Sequence, residues 1–260
     1  MTLHTRYAAM FARAARARRG VLVPFWMLGD PTPMRSLEII DALIEAGADA
    51  LELGIPFSDP VADGPVVQAA AARALAAGTT PTRALELIAR LREQHPLLPI
   101  GLLGYLNPLV ARGPQAFLGA AAAAGVDSLL LADLASVECA PYAALMRGVG
   151  IAPVLMVPPN ATAATFAAVA AHGAGYAYVA GRAGVTGTHA AMQAPTAALI
   201  ARLRAVGAPP ALVGFGISAP AQVRAAYAVG AAGAIVGSTL VALGDDPVAV
   251  AQRFTQLRAA

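Results

Sequence analysis

Residues 48–65 read Ala-Asp-Ala-Leu-Glu-Leu-Gly-Ile-Pro-Phe-Ser-Asp-Pro-Val-Ala-Asp-Gly-Pro, an apolar run followed by a loop that prolines and a glycine restrict. The run 49–54 is mostly apolar at both odd and even positions, which is typical of a strand buried on both faces, as in a parallel sheet. Seven other runs share this pattern, at 21–27, 98–103, 126–131, 151–157, 175–180, 210–214 and 233–236.

Segments with helical spacing separate these runs, for example Leu37, Ile40 and Ile44. Start signals precede several of them, namely Thr32 before Pro33, Thr80 before Pro81, and Ser218 two residues before Pro220. Eight such units in about 250 residues predict an α/β fold of the closed (β/α)₈, or TIM-barrel, class. We expect one domain over residues 1–260 with an N-terminal helical arm at 1–20; the structural alternative is a doubly wound open sheet.

The composition excludes several classes of protein. Hydrophobic residues make up 58% of the chain and charged residues 13%, which is incompatible with intrinsic disorder. All 18 basic residues are arginine, so lysine Schiff-base chemistry and a lysine-bearing P-loop are excluded. Cys139 is the only cysteine, which leaves no disulfide framework and no cysteine zinc site, and favours a cytoplasmic location.

The basic charge is concentrated at the N-terminus, where the first twenty residues hold five arginines and no acidic residue. The rest carries 13 arginines against 15 acidic residues, a poor footprint for nucleic acid. The arm is compatible with a transit peptide, but Tyr7, Met10, Phe11 and Ala14 favour a packed surface helix. The uncharged stretches 151–181 and 225–244 are interrupted by glycine or proline and rich in alanine, so we interpret them as buried strands and helices rather than membrane spans.

In a barrel of this class, reactive groups lie at the carboxyl ends of strands or in the loops that follow. Glu52 is a carboxylate inside an apolar run, where burial should raise its pKa toward neutrality. Asp59 and Asp63 follow in the loop. Together with Glu52 they provide carboxylates in different environments, which can divide acid and base roles. Asp133 is either catalytic or a capping residue, and Tyr178 is expected to point into the barrel.

Glycine-rich segments follow the last three predicted strands, at 184–187, 214–218 and 237–239. Glycines let the backbone approach a ligand, and amides at helix starts favour an anion, so these segments predict a phosphate site. Of the four histidines only His189 belongs to a loop at the carboxyl ends of the strands, so the sequence predicts no metal site.

From about Arg6 to the C-terminus the sequence resembles the tryptophan synthase alpha chains. The resemblance is carried by Pro24-Phe25, by residues 28–31, by the specific stretch 48–65 and by the three glycine segments. It implies retro-aldol cleavage of indole-3-glycerol phosphate without a cofactor in this chain. In this reaction Glu52 is the acid and base, Asp63 interacts with the indole N–H, and Tyr178 has a supporting role near these groups. It makes Phe25 and Leu103 walls of the indole pocket and assigns the substrate phosphate to Thr186, Gly187, Gly216, Gly237 and Ser238.

The resemblance also implies a pyridoxal-phosphate beta chain as partner in an alpha/beta heterotetramer, contacted through Pro56, Asp59, Pro60 and Asn107. The sequence departs from the family pattern at Ala135 and Val137, where a proline and more acidic residues are usual, and at Gly181 and Thr188-His189. Three alternatives remain: a standalone indoleglycerol-phosphate lyase, a non-catalytic allosteric subunit that binds phosphate ligands, and another phosphate-binding barrel enzyme.

Overall fold

Parallel strands and helices alternate along the chain in the computed structural model, which describes residues 5–181, 190–214 and 216–259. Each strand is short and nearly every residue in it is buried, as the apolar runs predict. The strands of the described residues are β1 (Val21–Met27), β2 (Leu51–Gly54), β3 (Ile100–Gly104), β4 (Ser128–Leu131), β5 (Ala152–Pro153), β6 (Leu155–Val157), β7 (Ala177–Ala180), β8 (Ala211–Gly214) and β9 (Gly233–Val236).

Proline at the first turn and a capping residue before it mark the start of several helices. The Thr32 and Thr80 side chains accept hydrogen bonds from the third residue of their helices, as predicted, whereas Ala219 rather than Ser218 occupies the N-cap before Pro220. The helices are α1 (Thr5–Arg16), α2 (Pro33–Glu45), α3 (Pro65–Ala76), α4 (Pro81–Gln94), α5 (Leu106–Ala111), α6 (Pro114–Ala123), a 3₁₀ turn (Ser136–Glu138), α7 (Ala140–Gly148), α8 (Ala163–His172), α9 (Ala190–Ala205), α10 (Pro220–Ala228), α11 (Ser238–Val241) and α12 (Pro247–Arg258).

The sheet closes into a barrel through the predicted run 151–157. The strand order is β5-β4-β3-β2-β1-β9-β8-β7-β6, and every pair is parallel. Its two ends, β5 and β6, are separated only by Val154, because the first half of the run pairs with β4 and the second half with β7. The (β/α)₈ prediction is therefore confirmed and the open-sheet alternative is wrong.

The N-terminal helix α1 packs under the barrel, at the amino ends of the strands. Tyr7, Met10 and Ala14 are buried and Phe11 is half-buried against the same core, which confirms the predicted packed face. The Tyr7 hydroxyl lies 2.8 Å from Ser128 Oγ, and the Tyr7 ring meets the Tyr176 ring edge-on at 5.6 Å. None of the helices in the described part of the chain has the length and hydropathy required to cross a membrane.

Candidate functional site

Strand register determines which side chains share a level inside the barrel. Phe25 pairs with Glu52, Glu52 with Gly101, and Gly101 with Ser128, so these four residues lie side by side across β1 to β4. Residues paired in this way point to the same face of a sheet. Two residues further along, Gly54 pairs with Leu103, which forms the next level toward the carboxyl ends.

Glu52 is a carboxylic acid enclosed in the barrel, with 1% of its surface exposed. Burial raises its pKa from 4.5 to about 7, although the Tyr176 hydroxyl donates a hydrogen bond of 2.9 Å to Oε1 and opposes the shift. The nearby Asp63 carboxylate raises the pKa further. A group with a pKa near neutrality can donate a proton in one step and accept one in the next.

Asp63 is half-buried in the loop between β2 and α3. The Tyr105 hydroxyl donates a hydrogen bond of 2.9 Å to Asp63 Oδ2 and accepts one of 3.2 Å from the Ala62 backbone N–H, which ties the loop to the end of β3. Burial raises the pKa of Asp63 and the Tyr105 hydrogen bond lowers it. Because Glu52 is fully enclosed and Asp63 is not, the two carboxyl groups are suited to different protonation states.

Tyr178 on β7 lies within the electrostatic influence of both carboxylates. It is 3% exposed, and its pKa is raised well above 10.0 by burial, then by Glu52 and by Asp63. A Cβ added to Gly214 on the neighbouring β8 would lie 2.1 Å from the Tyr178 hydroxyl, so a glycine there leaves room for the phenol. The structure therefore brings Glu52, Asp63 and Tyr178 together.

Phe25 and Leu103 contribute apolar surface beside the carboxylates. Both are buried, at 5% and 6% exposure. Two glycines lie against Phe25. A Cβ added at Gly54 would lie 2.8 Å from the tip of the Phe25 ring, and a Cβ added at Gly237 would lie 3.3 Å from the Phe25 Cβ. A flat aromatic ligand over Glu52 would thus meet apolar walls on β1 and β3.

The structure describes three of the five residues that were predicted to bind the substrate phosphate. Gly216 follows β8 and has a φ of +82°, a conformation that glycine adopts readily. Gly237 is the N-cap of α11 and Ser238 its first residue, so their amides lie at a helix start. Gly216 and Ser238 are exposed and Gly237 is half-buried. Thr186 and Gly187, with the rest of residues 182–189, lie outside the described residues.

The residues assigned to partner contact differ in exposure. Asp59 and Asn107 are exposed and Pro60 is half-buried, but Pro56 is buried within the chain. Asp133 accepts a hydrogen bond of 2.8 Å from the backbone N–H of Leu106, the first residue of α5, which corresponds to the capping alternative.

Sequence reasoning missed Tyr176 and Tyr105, whose hydroxyls donate hydrogen bonds to Glu52 and Asp63. Tyr176 is two residues before Tyr178, so the period of two that turned Tyr178 inward also applied to Tyr176. Tyr105 directly follows β3, at the end of the barrel where reactive groups were expected.

Comparison with known proteins agrees with this arrangement. The family model for the tryptophan synthase alpha chain matches residues 11–257. The tryptophan synthase alpha chain of Shewanella baltica is 54% identical over 91% of this chain and 86% of its own length, and that of Serratia proteamaculans is 53% identical over 91% and 88%.

Solved structures show the same fold. Tryptophan synthase subunit alpha from Legionella pneumophila superposes with a TM-score of 0.87 at 30% identity, covering 98% of this chain and 97% of that one. A chain of Mycobacterium tuberculosis tryptophan synthase gives 0.89 at 29% identity and 98% coverage of both. The buried glutamate, the loop aspartate and the barrel that holds them thus coincide with a match over nearly the whole sequence, and the chain belongs to the tryptophan synthase alpha chain family.

Proposed function

We propose that Glu52 moves the proton in the lyase reaction of this family, the cleavage of indole-3-glycerol phosphate to indole and glyceraldehyde 3-phosphate in tryptophan biosynthesis. The observation that carries the assignment is an enclosed carboxyl group with a pKa of about 7, bound by Tyr176 beside a second carboxylate. Protonated Glu52 transfers its proton to the indole ring carbon that bears the side chain. The resulting carboxylate then takes the proton of the adjacent glycerol hydroxyl, so Glu52 ends as it began.

Bond cleavage follows from these two transfers. As the hydroxyl loses its proton, its carbon becomes the aldehyde carbon of glyceraldehyde 3-phosphate, and the electron pair of the broken carbon–carbon bond returns to the ring as neutral indole. The protonated ring is the electron sink that an iminium would provide in a lysine aldolase, and this chain contains no lysine.

Asp63 acts in its ionised form. Ring protonation places positive charge on the indole nitrogen, and a carboxylate that accepts the N–H hydrogen bond stabilises that charge. The Tyr105 hydrogen bond favours the ionised form of Asp63 and fixes one of its oxygens, while Tyr178 lies beside both carboxyl groups.

Phe25 and Leu103 would hold the indole ring, and the amides near Gly216, Gly237 and Ser238 would hold the phosphate, together with Thr186 and Gly187. The support is their position: the loops after β8 and β9 follow neighbouring strands, and β9 is also paired with β1, which carries Phe25. An elongated substrate would reach from the interior of the barrel to the loops after β8 and β9, with its ring over Glu52 and its phosphate at the carboxyl ends of the strands.

A pyridoxal-phosphate beta chain is the proposed partner, in an alpha/beta heterotetramer located in the cytoplasm. The Pyrococcus furiosus structure with a TM-score of 0.83 is a tryptophan synthase complex, and the exposed Asp59 and Asn107 are available for such a contact. Turnover measured with and without a beta chain separates this role from that of a standalone lyase, since only a partnered subunit should gain activity.

The assignment of Glu52 is tested by Glu52→Gln, which keeps the size of the side chain and removes its acid–base function. We expect indole release to fall by about 10²–10⁴-fold. Glu86→Gln on the exposed face of α4 is the matched control and should leave turnover unchanged. Unchanged turnover in Glu52→Gln would overturn the proposed roles.

A further inference from the structure

The loop that follows β8 is held by one buried side chain, Gln222, in the first turn of α10. Gln222 is 4% exposed. Its Oε1 accepts hydrogen bonds from the Ser218 backbone N–H at 2.7 Å, the Ala219 backbone N–H at 2.8 Å and the Ser218 hydroxyl at 3.0 Å. Its Nε2 donates to the Gly216 carbonyl at 2.8 Å. The amide thus ties both ends of the segment 216–219 together.

Helix capping explains only one of these four hydrogen bonds. Ala219 at the N-cap has no side-chain acceptor, and Gln222 at the third helical position satisfies the N-cap N–H, as glutamine does in a capping box. The bonds to Gly216 and Ser218 lie outside the helix and shape the loop itself. A buried amide that uses its donor and its acceptor at once cannot be replaced by an apolar or acidic side chain of equal length.

A second element fixes the same loop from outside. Arg253 of α12 donates from Nη2 to the Ser218 carbonyl at 2.5 Å. Gly216 itself is exposed at a φ of +82°, whereas Ile217, which lies between the two anchored carbonyls, is buried. The hydrogen bonds therefore fix the loop on either side of Ile217 and leave Gly216, whose backbone no Cβ shields, open to a ligand at the surface.

We propose that Gln222 is a positioning residue for the substrate phosphate, which it orients by holding the Gly216–Ala219 loop in its binding conformation before the substrate arrives. The inference rests on the proposed phosphate site at Gly216, and extends it to a residue that does not itself touch the ligand. A loop that is ordered in advance loses less conformational entropy when it binds, so the benefit appears as affinity for the phosphate rather than as a faster chemical step.

The test compares Gln222→Met, which removes all four hydrogen bonds, with Gln222→Glu, which keeps the acceptor for Ser218 and Ala219 but loses the donor to Gly216. Gln94→Met and Gln94→Glu, at an exposed position near the end of α4, are the matched controls. For both Gln222 variants we expect the KM for indole-3-glycerol phosphate and the Kd for inorganic phosphate to rise about tenfold. We expect kcat and the Kd for indole to stay close to those of the wild type.

The outcomes separate the two proposals. Failure of inorganic phosphate to compete with substrate in the wild type would refute the phosphate site. Competition in the wild type with unchanged phosphate affinity in both Gln222 variants would refute the positioning role alone. Equal loss of indole and phosphate binding, or loss of kcat without a rise in KM, would also overturn it, because a general structural defect does not select the phosphate. Thermal melting identifies a variant that fails to fold; Gln222→Glu, which keeps the cap acceptor, then carries the test.

Discussion

Replacement of Tyr176 by phenylalanine should move the alkaline limb of the pH–rate profile. The Tyr176 hydroxyl donates to the Glu52 carboxylate at 2.9 Å and so lowers a pKa that burial raises to about 7. Phenylalanine keeps the ring and removes only the donor. A hydrogen bond to a charged group contributes about 1.5–3 kcal/mol, and each pKa unit corresponds to about 1.4 kcal/mol, so the pKa of Glu52 should rise by about 1–2 units.

The direction of this pKa change can be read from kcat/KM measured from about pH 3.5, below the usual pKa of an aspartate, to about pH 10. Glu52 must be protonated and Asp63 ionised when substrate binds, so activity should rise through the pKa of Asp63, which burial raises above 3.8, and fall through the pKa of Glu52 near 7. In Tyr176→Phe the descending limb should move to higher pH while the ascending limb stays in place. Tyr142→Phe, on α7 outside the barrel, is the control. A descending limb that is unmoved, or that moves to lower pH, would refute the assignment of that limb to Glu52.

Three further substitutions test separate parts of the site and fold. Tyr105→Phe removes a hydrogen bond that lowers the pKa of Asp63, so the ascending limb should move to higher pH in the same assay. A carboxyl group whose pKa is raised from 4.5 to about 7 in the folded protein destabilises the fold as the pH rises through that interval. In urea denaturation, Glu52→Gln should therefore be more stable than the wild type by about 3 kcal/mol above pH 7 and no more stable below about pH 4.5. Asp127→Ala breaks ion pairs of 2.7 Å with Arg6 and 2.6 Å with Arg92 beneath the barrel. These pairs are partly buried, so the free energy of unfolding should fall by about 2 kcal/mol, between the values for exposed and for buried pairs, with kcat retained. An unchanged denaturation midpoint would contradict this prediction.

Period and register explain why some of the site could be predicted from sequence and some could not. Glu52 interrupts an apolar run, and an interruption is visible without a structure because buried charged residues are rare. Tyr176 and Tyr105 gave no such signal, since tyrosine is common in strands and at their ends. Their roles depend on hydrogen bonds to residues 124 and 42 positions away in the chain.

Gln222 of α10, which holds the loop after β8, was also not identified from the sequence. Its position three residues after Ala219 could have indicated a capping role, but Ser218 was the more familiar capping residue and was predicted to start the helix instead. The structure places Ala219 at the N-cap and turns the Gln222 amide back onto Gly216 and Ser218. These hydrogen bonds depend on the burial of the Gln222 side chain against the loop, which a single sequence does not report.

By itself, the sequence determined the repeating strand–helix pattern, the absence of lysine and the family to which the acidic loop belongs, because these depend on residue identity and on spacing over a few positions. Only the tertiary structure decided how the run 151–157 divides between β4 and β7 to close the barrel, which hydroxyl reaches Glu52, and how far burial raises its pKa. These properties depend on distances between residues far apart in the chain and on the exclusion of water, both of which arise only when the strands meet.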